Sequence, residues 1–153
     1  MKKQLISLCT AFVLLYAMFF FADTPRQNAV AANFSDADIQ LMARCVNGEA
    51  RGEPYAGQVA VAAVILNRVK HSSFPNSIPG VIYQPGAFTA TVDGQINVPI
   101  ATDSTVYKAC RDALNGWDPS GGAIYYYNPA KTTNKWIWSR PIITVIGRHN
   151  FAG

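Results

Sequence analysis

The sequence predicts an α+β protein with a helical core and a small β-rich lobe. Two segments, residues 35–48 and 54–70, carry apolar residues at helical spacing. Four prolines and three glycines interrupt residues 71–101, and two later segments are rich in aromatic and β-branched residues, as strands are. We expect the cleft of the protein between the helical core and the lobe.

The first predicted helix, residues 35–48, ends in a carboxylate on its apolar side. Ser35 suits the N-cap position, and Asp36 and Asp38 place negative charge in the first turn, where the helix dipole favours it. The apolar stripe consists of Ile39, Met42 and Val46. Steps of three and four residues continue this stripe to Glu49.

The second predicted helix, residues 54–70, is apolar on nearly every side. Pro54 fits its first turn, and the segment "PYAGQVAVAAVILNRVK" has almost no polar face. A helix that is apolar all round is typical of the buried centre of a domain.

The remaining elements are shorter. In the lobe, "FTATVDGQINV" (88–98) predicts a hairpin that turns at Asp93-Gly94. Residues 103–115 predict a third helix that ends at Asn115-Gly116. Strands are predicted for "AIYYYN" (123–128) and "IITVIG" (142–147), with "PAKTTNKWIWSRP" between them.

The N-terminus predicts export from the cell. A basic start, an apolar run from Leu5 to Ala22 and small residues around Ala31 are typical of a secretory signal peptide over residues 1–31. An uncleaved membrane anchor is the alternative, because the run is just long enough to span a bilayer. Residues 32–153 then form one domain. Without the leader the net charge falls from +4 to about +2, which argues against nucleic-acid binding.

Cysteine and histidine usage predicts no metal site and no cofactor. Cys45 and Cys110 are expected to be buried free thiols, although a disulfide is possible chemistry in an exported protein. His71 and His149 are far apart in sequence, and no HExxH or CxxC motif occurs. We expect a structural role for His149.

The chain has two glutamates, Glu49 and Glu53, and they have different expected roles. Glu49 closes an apolar stripe, which suits a general acid, and Gly48 and Gly52 are expected to leave the backbone open to a ligand. Bonding of Glu49 to backbone donors near the second helix is an equally good interpretation. Glu53 precedes Pro54, and we expect it to support the helix start, pairing with Arg51 or Arg68.

Aromatic residues form the second possible functional signal. "YYY" at 125–127 and the tryptophans of "KWIWSRP" flank a polar loop. Alternation along a strand sends Tyr125 and Tyr127 to one face and Tyr126 to the other. One set can line a groove with Asn128, and such rings suit sugar binding, although ordinary packing explains each ring equally well.

Six ordered motifs resemble the catalytic domain of the SleB/CwlJ cell-wall hydrolases, the spore-cortex-lytic enzymes of endospore-forming bacteria. The resemblance covers roughly residues 39–151. The motifs are "VNGEARGEPYAGQVAVAAVILNRV", "FPNSIPGVIYQPGAFTA", "DGQIN", "ALNGWDPSGGAIYYYNP", "KWIWSRP" and "IGRHNF".

The resemblance implies a lysozyme-like fold related to lytic transglycosylases and cleavage of the N-acetylmuramic acid–N-acetylglucosamine bond of peptidoglycan. It implies that Glu49 is the catalytic residue, and a single carboxyl fits transglycosylation better than hydrolysis, because Asp93 and Asp103 are the only other acids in the lobe. Expected substrate-binding residues are Phe88, Gln95, Tyr125, Asn128 and Trp136.

Three functions remain open at this stage. The leading one is an exported, monomeric lytic transglycosylase that acts on the glycan strands of spore cortex or cell wall. The second is an amidase that cuts the muramoyl–alanine bond, and the third is a non-catalytic wall-binding module. We expect a minimal form of the family, with a signal peptide and the catalytic domain alone.

Overall fold

The computed structural model describes residues 34–153 and has the α+β architecture that the sequence predicts. The predicted signal peptide lies outside these residues. Helices α1 (Asp36–Ala50), α2 (Tyr55–Lys70), α3 (Ile78–Ile82) and α4 (Thr105–Leu114) precede strands β1 (Tyr125–Tyr127), β2 (Ile142–Ile146) and β3 (His149–Ala152). Short 3-10 helices span Thr89–Thr91, Gln95–Asn97 and Ile137–Ser139.

Helix α2 is the centre of the core. Residues from Gly57 to Leu66 are all buried, and α1, α3 and α4 pack around them. Burial on every side explains why the sequence of α2 shows no amphipathic pattern. Pro54 occupies the N-cap position of α2, just before the helix, and contributes no side-chain hydrogen bond there.

Helix α1 begins as predicted and ends later. Ser35 and Asp38 form a reciprocal capping box, in which each side chain accepts a hydrogen bond from the other residue's backbone N–H. The helix continues to Ala50, beyond the predicted end at residue 48. Glu49 therefore lies within the last turn of α1, and its position is set by a regular helix.

The predicted hairpin at residues 88–98 is wrong. The segment forms two 3-10 helices on either side of Asp93-Gly94. Gly94 has the positive φ of 85° that a turn requires, and the Asp93 carboxylate accepts a hydrogen bond from the Gln95 N–H. Val92 is 81% exposed, so the alternation of apolar residues here does not reflect a buried strand face.

The sheet has three antiparallel strands in the order β1-β3-β2. The central strand β3 follows the predicted strand β2 after a turn at Gly147 and was not predicted from sequence. Tyr126 of β1 pairs with Phe151 of β3, and the Phe151 ring is fully buried. The sheet thus joins the helical core through its central strand.

A turn at Asp118 lies between α4 and β1 in the chain and is held to α2 by hydrogen bonds from Asn67. The Asp118 carboxylate accepts hydrogen bonds from the N–H and O–H groups of Ser120, the Gly122 N–H and the Asn67 side chain. Partial burial works to raise the pKa of Asp118, but these hydrogen bonds outweigh it and lower the pKa below its ordinary value. The Asn67 amide also donates to the Ala123 carbonyl oxygen.

The two cysteines of the domain are buried free thiols, as predicted. Burial raises the pKa of both Cys45 and Cys110, which keeps them in the thiol form. Among residues 34–153, no helix combines the length and the apolar character needed to cross a membrane.

We expect Asp118→Ala to destabilise the domain by about 2–3 kcal/mol, because the donors of Ser120 and Asn67 lose a charged acceptor. Asp103→Ala is the matched control, since Asp103 is exposed and should change stability by no more than about 0.5 kcal/mol. Urea unfolding at neutral pH measures both. Equal stability of the two variants would contradict the proposed importance of this turn.

Candidate active site

A cleft of about 750 Å³ opens beside the last turn of α1. Its walls come from the ends of α1 and α2, the loop at residues 84–87, β1, the segment 128–137, and the turn into β3. The charged side chains in this lining are Glu49, Glu53, Arg68, Asp93, Lys131 and Arg148. The cleft therefore lies between the helical core and the sheet, as the sequence predicts.

Glu49 is held by one donor on each carboxylate oxygen. Its Oε1 accepts a hydrogen bond from the Ala90 N–H at 2.9 Å, and its Oε2 accepts one from the Tyr126 hydroxyl at 2.8 Å. Both donors are neutral groups. The side chain is half-buried and lines the cleft, so the carboxyl is fixed in orientation and still open to a ligand.

Close packing at Gly48 brings the Ala90 N–H to Glu49. A Cβ atom on Gly48 would lie 2.7 Å from the Ala90 Cβ and 2.9 Å from the Gln95 Cβ, closer than side chains tolerate. Gly48 packs against the 89–97 segment and also lines the cleft, whereas Gly52 is exposed beside the Arg148 guanidinium and is not among the lining residues. The expectation that both glycines leave the backbone open to a ligand stays a prediction.

Glu53 is bound by Arg148, and the predicted pairing with Arg51 or Arg68 is wrong. Its carboxylate accepts hydrogen bonds from the backbone N–H and the Nε of Arg148, and the ion pair closes to 2.7 Å. Gly147, with a φ of 58°, leaves the room for this contact, because a Cβ there would overlap the Glu53 carboxylate.

The electrostatics of Glu53 follow from these bonds. Burial works to raise the pKa of Glu53, but the hydrogen bonds and the positive charge of Arg148 outweigh it and lower the pKa. Glu53 thus joins the start of α2 to the turn between β2 and β3, which agrees with the structural role that its position predicts.

One wall of the cleft is aromatic. The ring of Trp136 stands edge-on to Tyr125, with 5.1 Å between ring centroids, and the Arg140 guanidinium lies 4.7 Å from the centre of the Trp136 ring. Trp136 is about half exposed. Asn128 lies in the same lining, so an apolar shelf and a polar amide face the cleft together.

The predicted site residues divide into two groups. Glu49, Tyr125, Asn128 and Trp136 line the cleft. Phe88 and Gln95 do not line it. Phe88 is buried beneath the cleft against Tyr126, and the Gln95 side chain accepts a hydrogen bond from Arg51 at 2.9 Å.

Three residues of the site were missed from sequence. Tyr126 contacts Glu49 directly, Arg68 lines the cleft from α2, and Arg148 neutralises Glu53. Strand alternation does separate Tyr126 from its neighbours, and this signal could have marked it as the different residue. Burial raises the pKa of Tyr126 well above its ordinary value, and the nearby Glu49 carboxylate adds to this, so its hydroxyl stays a neutral donor.

His149 packs edge-on against Tyr126 with 5.2 Å between ring centroids. Burial lowers the pKa of His149 and favours the neutral imidazole. His149 also lines the cleft beside Tyr126, and its expected structural role stays a prediction. Within residues 34–153, no three His, Cys, Asp or Glu side chains are grouped to hold a metal ion.

Known proteins are similar to this chain in sequence and in fold. A family model described as Cell Wall Hydrolase matches residues 52–152, a range that begins just after Glu49. The spore cortex-lytic enzyme of Bacillus cereus strain ATCC 14579 is 58% identical over 130 residues, which cover 83% of this chain and 49% of that protein. The spore cortex-lytic enzyme of Bacillus subtilis strain 168 is 56% identical over 134 residues, which cover 85% of this chain and 43% of that protein.

A solved structure shows the same fold. The catalytic domain of the germination-specific lytic transglycosylase SleB from Bacillus anthracis superposes with a TM-score of 0.75 at 59% identity, covering 78% of this chain and 97% of that one. The chain spans less than half the length of the two curated relatives above. The similarity therefore concerns one domain of those longer proteins.

We expect Glu53→Gln to lose about 2 kcal/mol of stability at pH 7, because the amide keeps one acceptor for Arg148 but loses the second and the negative charge that pairs with the guanidinium. The pKa of Glu53 is lower in the folded chain than in the unfolded one. Its contribution is therefore full above the unfolded value of about 4.3 and is lost as pH falls through the folded value. Urea unfolding at pH 7, 5 and 3 should show the two proteins converging at the lowest pH.

A double-mutant cycle controls this prediction. In an Arg148→Met background, Glu53→Gln should cost clearly less, since the side-chain donor has already been removed. An equal cost in both backgrounds would show that Glu53 stabilises the fold without Arg148.

Proposed function

The chain belongs to the cell wall hydrolase family, and from this premise we propose that it is a lytic transglycosylase of peptidoglycan with Glu49 as its acid and base. The observation that carries the proposal is the fixed Glu49 carboxyl in a saccharide-sized cleft, held by two neutral donors. Such a carboxyl can lose and regain a proton without breaking a salt bridge.

The reaction needs one carboxyl and no water. Protonated Glu49 gives its proton to the glycosidic oxygen as the bond from that oxygen to C1 of the muramoyl residue breaks. The 6-hydroxyl oxygen of the same residue then bonds to C1 and passes its proton back to the Glu49 carboxylate. The products are a 1,6-anhydromuramoyl end and a free 4-hydroxyl on the leaving sugar, and Glu49 is again protonated.

The other acids of the cleft support transglycosylation by Glu49 alone over hydrolysis. Glycoside hydrolysis ordinarily uses a second carboxylate as nucleophile or base. Glu53 is already bound by Arg148, and the exposed Asp93 accepts a hydrogen bond within its own turn. Glu49 is the acid of this lining that combines partial burial with neutral partners.

Substrate class and place of action are part of the proposal. The relatives are named spore cortex-lytic enzymes, and the similar structure is named a germination-specific lytic transglycosylase. We therefore propose spore cortex peptidoglycan as the substrate and action outside the cell. The signal peptide at residues 1–31 and the monomeric state stay predictions.

Sugar binding is assigned to the aromatic shelf. The exposed face of Trp136, supported by Tyr125 and Arg140, offers an apolar surface to the axial hydrogens of a pyranose ring. Asn128 supplies an amide for a sugar hydroxyl or acetamido group. Phe88 packs beneath the cleft against Tyr126, and Gln95 holds Arg51 outside the lining, so neither is proposed to contact the sugar.

We expect Glu49→Gln to lower the release of muropeptides from cortex peptidoglycan by about 10²- to 10⁴-fold, the usual contribution of a general acid. The amide keeps an oxygen for the Ala90 or Tyr126 donor, so the melting temperature should change by only a few degrees. Mass spectrometry of the wild-type products should show 1,6-anhydromuramoyl ends, one water lighter than reducing ends.

The product analysis separates the competing reactions. Reducing ends would indicate hydrolysis, and newly freed N-terminal alanine would indicate an amidase. Undiminished muropeptide release by Glu49→Gln would remove Glu49 from the mechanism. Binding to sacculi without any release by the wild type would favour a wall-binding module.

We expect Tyr126→Phe to lower kcat by about 10- to 100-fold with little change in KM, because a hydrogen bond to a charged group is worth about 1.5–3 kcal/mol. Tyr127→Phe is the matched control, since the Tyr127 hydroxyl bonds to Asn150 and not to Glu49. Steady-state rates on cortex fragments measure both. Equal kcat values for the two variants would contradict a positioning role for Tyr126.

A further inference from the structure

Arg68 is a buried cation in an aromatic cage beside the cleft. Its side chain comes from the last turns of α2, and the residue is only 7% exposed. The guanidinium carbon lies 5.3 Å from the ring centre of Phe74, 5.2 Å from that of Phe88 and 5.8 Å from that of Tyr125. Three rings therefore cover the cation, and each can stabilise it through its π face.

Among residues 34–153, no carboxylate forms a salt bridge with Arg68, and the Glu49 carboxylate attracts it only at longer range. The Arg68 Nε donates a hydrogen bond to the Ile124 carbonyl oxygen at 2.7 Å, and the terminal nitrogens make no hydrogen bond to any residue of 34–153. Across the described part of the chain, the one salt bridge is Arg148–Glu53. A buried guanidinium stays protonated, so burial without a directly bound anion leaves part of its desolvation cost uncompensated.

The open side of the cage is the cleft. Arg68 lines it together with Glu49, Tyr125 and Trp136. Since the rings and Ile124 occupy the other sides, the terminal nitrogens of the guanidinium are available to a ligand in the cleft. A planar fork of N–H donors is the group that proteins use to bind carboxylates.

We propose that Arg68 binds a carboxylate of the substrate and thereby selects muramoyl sugars over neutral ones. This inference rests on the proposed function. Peptidoglycan offers two sources of such a carboxylate. One is the 3-O-lactyl group of a muramoyl residue that carries no peptide, and the other is a carboxylate of an attached peptide.

Lys131 is the alternative cation in the same lining. Its side chain is exposed and free of the aromatic cage. Exposed charges contribute little to binding because water and salt screen them. Lys131 therefore serves as a matched control, which removes one positive charge from the cleft and leaves the cage intact.

The first test uses the wild-type protein and needs no variant. Nuclear magnetic resonance titration compares N-acetylmuramic acid with its methyl ester and with N-acetylglucosamine. We expect N-acetylmuramic acid to bind with a Kd at least about tenfold lower than the two neutral sugars, since charged hydrogen bonds are lost in both. A muramoyl dipeptide and its C-terminal amide form the second arm, and a preference for the acid there would identify the peptide as the source.

Equal Kd values for acid and neutral ligands in both arms would overturn the proposal. A preference in either arm supports it and names the source. The result is independent of transglycosylation, because these ligands contain no glycosidic bond between two sugars. Selectivity without any release of 1,6-anhydro products would refute the proposed reaction alone, and release without selectivity would refute the carboxylate site alone.

The second test assigns the selectivity to Arg68. The selectivity is the Kd of the neutral ligand divided by the Kd of the acid. Arg68→Gln should reduce this ratio to about one, and Arg68→Lys should retain part of the wild-type ratio. Lys131→Met should leave the ratio within about twofold of the wild-type value. Circular dichroism checks that each variant is folded, because Arg68 also holds Ile124. If Arg68→Gln is unfolded, Arg68→Lys and the wild-type ligand comparison decide the outcome. Loss of selectivity in Lys131→Met with retention in both Arg68 variants would contradict the proposal.

Discussion

The two hydrogen bonds to Glu49 are the contact on which the arrangement of the cleft depends. They join the end of α1 to the Ala90 N–H, 41 residues later, and to the Tyr126 hydroxyl, 77 residues later. Helical core, lobe and sheet therefore meet at one carboxyl. Each donor fixes one oxygen, and the direction of the carboxyl relative to the cleft is set by elements that are distant in sequence.

The C-terminal half of α2 holds the sheet side of this contact in place. Consecutive residues Asn67 and Arg68 donate to the carbonyl oxygens of Ala123 and Ile124, directly before β1. Tyr126 follows two residues later and reaches Glu49. Because α2 is buried from Gly57 to Leu66, it provides a rigid base from which β1 is positioned. Arg68 thereby combines a structural contact through Nε with the proposed ligand contact through its terminal nitrogens.

Sequence patterns were sufficient for α1, α2 and α4 and for the position of Glu49 at the end of α1, but not for α3 or for contacts made across the fold. The apolar stripe of α1 is a local property, so its continuation to Glu49 could be read directly. The partner of Glu53 could not, since Arg148 lies 95 residues away. The Asp93-Gly94 pair fits a hairpin as well as a turn between 3-10 helices, and only burial distinguishes them. Gln95 and Phe88 were expected in the site but do not line the cleft, because Gln95 bonds to Arg51 and Phe88 is buried.

The two glutamates show how partner chemistry separates a structural acid from a reactive one. Glu53 is paired with a guanidinium, so protonating it would break an ion pair and destabilise the turn before β3. Glu49 is bound by an amide and a phenol, both neutral, so protonating Glu49 breaks no ion pair. Under the proposed reaction Glu49 must donate a proton and recover one in each turnover. Glu53 lies four residues after Glu49, just before α2 begins. Glu49 remains on the last turn of α1, where the Ala90 N–H and the Tyr126 hydroxyl both reach it.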